Sequence, residues 1–320
     1  MLCQNTEQYG ISSRLQEIMC LLGQGYVFEE GGHILSELLG IDISSRQIQR
    51  VSEHYGSEIE KEQETYVSGK EEAPAVKLKT KDDPVYMMFD GCMLFSREEG
   101  WKEMKVGRLF NGQSCVQVQQ NRKEIMQSQY VCHFGGHKEF LAKWECYTES
   151  YKHKVFIADG AKWIWNWVED CYPDAVQILD FFHAVEKIGT FAANQYIDEK
   201  ERCGWLDKQK QRLRNNEADK IIEELKNTLS RTKECDKWRT DAIGYYENNL
   251  DRMQYKTYLS KGYIIGSGAI ESAHRNVIQQ RLKLSGQRWS VKGAQFIANL
   301  RAYKKSERWS DIINIIKSAA

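Results

Sequence analysis

Lys261–Ser290 reads KGYIIGSGAIESAHRNVIQQRLKLSGQRWS, and the assignment of the fold turns on this stretch. Gly266-Ser267-Gly268 is a flexible turn, and Ser267 is placed to cap a helix whose first turn holds Glu271. A carboxylate at that position is favoured by the positive end of the helix dipole. Ile270, Ala273 and Val277 recur at helical spacing, with Leu284 two turns on, so one face is apolar. Glu271 and Arg275, four residues apart, share another face. Beyond the helix come Arg281, Lys283, Arg288 and Lys292, with Trp289 among them. One fixed carboxylate beside cationic side chains suits a site for a metal and a phosphate backbone. The same pattern also fits an ordinary capped amphipathic helix with a solvated basic end, and both readings stand on this stretch alone.

Working outward, the 320 residues are enough for a real core and for two or three domains. A hydrophobic content of 41% and a charged content of 28% describe a soluble globular chain with no apolar run of membrane-spanning length, and an N-terminus without a charged start followed by an apolar core, so secretion is not expected. Lys plus Arg balances Asp plus Glu, so the global charge favours no partner. Its distribution does. Between Ser272 and Arg308 stand Arg275, Arg281, Lys283, Arg288, Lys292, Arg301, Lys304, Lys305 and Arg308 against a single acid, Glu307. The nine cysteines are scattered without a C-x-x-C pair, which reads as reduced, mostly buried thiols.

From Ser13 to about Glu60 the pattern is helical. Leu15, Ile18, Met19 and Leu22 form one apolar stripe, and Ile34, Leu35, Leu38 and Leu39 a second that Gly40 ends. Ser44 is placed to cap a third helix, SRQIQRVSEHYG. This is a helix-turn-helix outline, with Ile48, Val51 and Tyr55 inward and Arg46, Gln49 and Arg50 outward, fit for phosphates or base edges. Residues 61–84 are charged and unpatterned, hold Pro74 and Pro84, and read as a linker.

After Pro84 the period changes. VYMMFDG and KVFIADG are short apolar runs that each close on Asp-Gly, at Asp90 and Asp159, and AVQILD closes on Asp180 with His183 three residues later. WKEMKVGRLF and SQYVCHF read as further strands, and residues 138–151 as a helix. AKWIWNWVEDCY is another, with Trp163 and Trp167 in its core. Any one Asp-Gly fits a turn. Ligand sites in α/β sheets lie outside the carboxyl ends of the strands, and acids gathered there are costly unless a cation meets them. Mg²⁺, held by one or two carboxylates, water and phosphates, is the economical cation. From Ala184 to about Lys261 the chain is helical and charged, with Ile221, Ile222, Leu225 and Leu229 on one stripe.

The order strand-Asp90, strand-Asp159, helical insertion, helix-Glu271 resembles the DDE transposases of bacterial insertion sequences, and most closely the Kra-type group, distant relatives of the Mutator superfamily. FDG at Asp90, IADGAKWIW at Asp159, LDFFH at Asp180 to His183, and IGSGAIESAHRNVIQQRLKLSGQRWS carry the resemblance, which covers most of the chain. It implies an α/β fold: an RNase H-like mixed sheet flanked by helices, interrupted by an all-helical insertion, with an N-terminal helix-turn-helix domain. The expected divisions are 1–60 for DNA binding, 61–84 for a linker, 85–183 for the first part of the core, 184–262 for the insertion, and 263–320 for the Glu helix and basic C-terminal helices. Such transposases often carry further sequence upstream, so a short or truncated copy is expected.

In chemical terms the resemblance implies that Asp90, Asp159 and Glu271 are catalytic and hold two Mg²⁺ ions, with Mn²⁺ as substitute. Asp180 and His183 match an Asp-x-x-His element and take a supporting role. Arg46, Gln49 and Arg50 would read DNA, and Arg275, Arg281, Lys283, Arg288 and Trp289 would grip the element end through phosphates and stacking. The expected partners are double-stranded DNA at element ends and target, and further copies of the chain on that DNA, with no membrane and no small-molecule substrate. The expected location is the bacterial cytoplasm, at the nucleoid when bound. Two other classes remain open: a degenerate or domesticated DNA-binding protein of the same origin, and another RNase H-like two-metal nuclease.

Overall fold

The computed structural model describes residues 10–78, 80, 82–119 and 122–318. In chain order its elements are helices α1 (Ser13–Gly25), α2 (Phe28–Leu39) and α3 (Ser45–Val67), and strands β1 (Val85–Ser96), β2 (Gly100–Asn111), β3 (Cys115–Gln119), β4 (Arg122–Ile125) and β5 (Gln129–Phe134). Then follow α4 (His137–Thr148), β6 (Lys154–Ala158), α5 (Lys162–Cys171), β7 (Val176–Leu179), α6 (Phe181–Gln195), α7 (Glu199–Arg214), α8 (Ala218–Asn227), α9 (Lys233–Asn249) and α10 (Tyr255–Ser260). The chain closes with α11 (Gly268–Ala273), a π-helical turn (His274–Gln279), α12 (Gln280–Leu282), α13 (Val291–Lys305) and α14 (Trp309–Ser318). The fold is mixed α/β, with a five-stranded mixed sheet in the order β5-β2-β1-β6-β7. No helix among the described residues is long and apolar enough to cross a membrane.

The chain divides into two units. The first takes everything up to Val85, then Phe89–His153 and everything from Ile270; the second takes Tyr86–Met88 and Lys154–Ala269. In the first unit the capping expected at α2 and α3 is present. Gly40 ends α2 in the left-handed region at φ 64°, and the Ser44 hydroxyl accepts from Gln47 N at 3.2 Å. Ile48, Val51 and Tyr55 are buried as the spacing predicts. α3 runs on to Val67, into the stretch expected to be a linker, because Ile59, Gln63 and Tyr66 continue its buried face. α13 lies along α3 so closely that a Cβ on Gly56 would stand 2.3 Å from the carbonyl oxygen of Phe296. Buried polar side chains tie the same helix to the sheet and to α3. Gln295 Nε2 donates to Cys132 O at 3.0 Å, and Asn299 Nδ2 donates to Glu60 Oε2 at 2.8 Å.

β2 and β5 pair antiparallel, with Met104 opposite Phe134 and Leu109 opposite Gln129. β1 does not stop at Asp90 as the Asp-Gly pair led us to expect. It continues to Ser96, where Trp289 pairs with it through a parallel bridge, Trp289 N donating to Phe95 O at 3.2 Å and Arg97 N to Trp289 O at 2.8 Å. The strand runs past its glycine because β2, three residues further on, pairs with it as a hairpin, and a backbone partner nearly two hundred residues away in sequence joins its far end.

In the second unit β6 and β7 are parallel, Val155 opposite Val176 and Ala158 opposite Leu179, joined through α5. α5 buries Ile164, Trp165, Trp167 and Val168, while Trp163 is half-buried. α6 to α10 form the expected helical stretch, with Ile188, Phe191, Ile221, Leu225, Ala242 and Tyr246 buried. Leu229, expected on the α8 stripe, lies past the end of that helix and is exposed. Among the described residues Cys20, Cys132 and Cys235 are buried and Cys171 and Cys203 exposed, so thiol burial is less general than the composition implied.

Candidate functional site

Two of the expected acids fall in the first unit. Asp90 lies inside β1 with its side chain half-exposed, Oδ1 accepting from Gly91 N at 2.7 Å. Its Oδ2 stands 3.4 Å from Nε2 of His274, a buried imidazole in the π-helical turn. Glu271 is exposed in α11, three residues before His274 and so on the same helical side. His274 thus links Asp90 to the helix that carries Glu271. Sequence reasoning passed over His274, although it stands within the quoted motif. It also passed over Glu103 on β2. A Cβ on Gly91 would meet the Glu103 carboxyl at 2.0 Å, so glycine at that position is what admits the acid. Lys105 forms an ion pair with the same carboxylate. Cys92, two residues from Asp90, has its thiol pushed up to about 11. Burial is the main cause; Asp90 and Glu103 add to it, and Lys283 opposes it.

The π-helical turn has a visible origin. The Gln280 N–H reaches back to Arg275 O instead of Asn276 O. The carbonyls of Asn276 and Val277 accept instead from the buried guanidinium of Arg301 on α13, which also reaches Gln24 O. Leu282 is buried as the last helical residue, while Leu284, expected on the apolar face, lies past the end of the helix and is exposed.

The second unit holds the other acids. Asp159 directly follows β6, its Oδ1 accepting from Ala161 N at 3.0 Å and its carbonyl from Trp165 Nε1 at 2.7 Å. The Tyr245 ring packs so closely on Gly160 that a Cβ there would stand 2.2 Å from it. Asp180 directly follows β7 and caps α6, fully buried. Its Oδ1 accepts from Phe182 N at 3.0 Å and Ser267 N at 3.1 Å, and its Oδ2 from Ser267 Oγ at 2.5 Å and His183 Nδ1 at 2.5 Å. Burial alone would raise the Asp180 pKa. The hydrogen bonds from His183, Ser267 and Phe182 N outweigh it and hold the carboxyl below its ordinary value. His183 is held up at about 9, chiefly by its hydrogen bond to Asp180, against burial, with the charges of Asp180 and Asp159 adding. It is therefore an imidazolium near neutral pH, within the field of Asp159.

The expected DNA-binding residues divide by exposure. Arg46 and Arg50 are exposed at the start of α3, and Gln49, half-buried, donates to Glu53 Oε1 at 2.8 Å. Arg275, Lys283 and Arg288 are exposed. Arg281 is only 1% exposed: its Nε donates to Gly23 O at 3.0 Å, and its guanidinium lies 4.7 Å from the Phe28 ring centroid and 4.9 Å from that of Trp289. Burial, then the charge of Arg301, lowers its pKa to about 10. Trp289 is 7% exposed and donates to Leu282 O at 3.0 Å. Both side chains are engaged in packing the segment around them.

Asp90, Asp159 and Glu271 offer carboxylate oxygens, the donors that hard divalent cations such as Mg²⁺ take. Among the described residues no group of three or more His, Cys, Asp or Glu side chains is assembled as a ready ligand set. No protein-family model and no curated protein matches the chain.

Proposed function

We propose that the chain is a DDE-type DNA transposase of the Kra-type insertion-sequence group, acting on element ends and target DNA through an RNase H-like core. The reading rests above all on Asp90. Its carboxylate stands 3.4 Å from the buried His274, three residues along from Glu271 on one helical segment, although strand and helix are far apart in sequence. Asp159, at the exit of a strand paired in parallel, supplies the third acid. The helices α1 to α3 would form the helix-turn-helix part, with Arg46, Gln49 and Arg50 toward DNA.

Asp90, Asp159 and Glu271 would hold the metal, two Mg²⁺ ions supplying charge neutralisation at the phosphodiester and activation of water. Hydrolysis breaks one P–O3′ bond and leaves a 3′-hydroxyl. That hydroxyl then attacks a target phosphodiester, forming a new P–O bond as the target's 3′-oxygen leaves. Such transfers need positioning and charge more than a protein nucleophile. Within this scheme His183, kept protonated by Asp180, presents a positive charge to a phosphate near Asp159. Asp180 orients the imidazole and fastens the Gly266-Ser267 turn through both donors of Ser267. Lys283, Arg288 and Arg275 would neutralise phosphates of the bound end. The protein would act as a homo-oligomer on DNA in the bacterial cytoplasm.

The test is strand cleavage by the purified chain on DNA bearing inverted repeats that flank its gene. Cleavage is expected with Mg²⁺ or Mn²⁺ and is expected to stop with EDTA. Asp159→Asn should keep DNA binding and lose cleavage by at least about a hundredfold. Cleavage at near wild-type rate in that variant would remove Asp159 from the site and the proposal with it.

A further inference from the structure

The tip of the β1–β2 hairpin and the segment from Leu282 to Arg288 enclose a cavity of about 460 Å³ in the first unit, lined among others by Phe95, Trp101, Lys283 and Arg288. Trp101 is 65% exposed, and Met93 and Leu284 beside it are exposed too, so the apolar surface here is contiguous. The Arg288 guanidinium lies 5.5 Å from the Phe95 centroid, and Phe95 meets Trp101 edge-on at 5.5 Å. The segment is fixed at both ends, by Arg281 on Gly23 and by Trp289 on β1. Nearby acids are engaged: Glu98 Oε2 accepts from Ser96 Oγ and Val291 N, each at 3.1 Å, and Glu99 pairs with Lys102 at 2.7 Å. Lys283 and Arg288 stay on the surface.

We infer that this cavity is a stacking platform for an unpaired nucleobase, Trp101 taking the face of the base and Lys283 and Arg288 the phosphates on either side. A base inside a duplex has both faces covered by its neighbours. Only an unpaired base can lay a face on an exposed indole, and adjacent cations match the backbone that must accompany it. A purely apolar partner would leave Lys283 and Arg288 facing nothing of opposite charge, so the charge favours single-stranded nucleic acid over a protein surface. Base stacking is indifferent to sequence, so the platform would hold the frayed or single-stranded nucleotides next to an end, whatever their identity. The inference rests on the DNA-binding part of the reading above but not on cleavage.

The test compares the full chain on blunt duplex, on the same duplex with a short single-stranded oligothymidylate overhang, and on oligothymidylate alone. Wild type should prefer the overhang. Trp101→Ala should abolish the preference, weakening overhang and oligothymidylate binding about five- to a hundredfold, while Trp101→Phe should keep most of it. Because Trp101 is largely exposed, both variants are expected to fold, which their thermal unfolding checks. Equal binding of the overhang by wild type and Trp101→Ala overturns the inference. So does absence of oligothymidylate binding in wild type, or a Trp101→Ala variant that loses self-association and nothing else, which would mark the face as a contact between copies. If wild type binds the overhang through Trp101 yet never cleaves, the platform stands and the transposase reading falls. If it cleaves and Trp101→Ala binds as wild type, the reverse holds.

Discussion

A carboxylate with no exposure needs protein donors to replace water, and Asp180 has four of them, from Phe182, His183 and Ser267. The sequence shows half of this arrangement, since an Asp closing an apolar run with His three residues on is visible by eye. Ser267 is visible only as a turn residue, because nothing local says that a turn beyond the helical stretch comes back to β7. The sign of the pH effect follows from the two shifts. The His183 pKa rises from 6.5 to about 9 on folding, so its contribution is full below pH 6.5 and is lost as pH climbs through about 9. The Asp180 pKa falls on folding, so its contribution is present above 3.8 and is lost only as pH drops through the lowered value. The thermal midpoint of wild type should therefore exceed that of His183→Gln below pH 6.5, by an amount worth on the order of 1 kcal/mol once screening of the half-exposed imidazole is allowed for. The gap should close between pH 6.5 and 10. A gap constant over that range in thermal scans would mean that His183 contributes packing and no charge.

Among the elements, those set by their own residues were legible: the cap of α3 by Ser44, the end of α2 at Gly40, and the apolar runs of β6 and β7. Those set by distant residues were not. The far end of β1 takes Trp289 as a parallel partner, which no local pattern announces, and α11 gives way to a π-helical turn where Arg301 takes two carbonyls. Arg301→Leu removes donors from three carbonyls at once, that of Val277 buried and those of Asn276 and Gln24 partly so, and should cost roughly 2–4 kcal/mol in urea unfolding. Backbone amides of 274–280 should exchange faster in that variant than those of α6. Unchanged exchange there would mean that the turn is set by its own residues. Glycines sort the helices in the same way. Gly56→Ala forces a Cβ against the Phe296 carbonyl and should destabilise by roughly 1–3 kcal/mol. Gly189→Ala on α6 meets nothing within 4 Å and should stabilise by about 0.5–1 kcal/mol.

For the whole molecule, a formal net charge of zero conceals how the cations are used. The run from Arg275 to Arg308 reads as one basic strip in sequence, yet the structure spends Arg281 and Arg301 on buried carbonyls and leaves Lys283, Arg288 and Arg275 outside. Only the exposed group can displace counterions from a DNA backbone, each phosphate contact adding about 0.9 to the slope of log affinity against log salt. Lys283→Ala with Arg288→Ala should therefore lower that slope by roughly 1–2 and weaken all DNA sequences alike. Arg281→Met should reduce stability and leave the slope of the folded protein where it was. Arg46 and Arg50 differ in kind, standing exposed on a capped helix with Gln49 between them. If that helix reads bases, Arg46→Ala with Arg50→Ala should cost roughly 1–3 kcal/mol per lost contact on the element's own ends and less on unrelated DNA. Equal losses on both, measured by fluorescence anisotropy across a salt series, would make these arginines phosphate contacts like Lys283. No loss on either would leave α1 to α3 as packing, a role that the contact of Gly56 with Phe296 and Asn299 on α13 already gives α3.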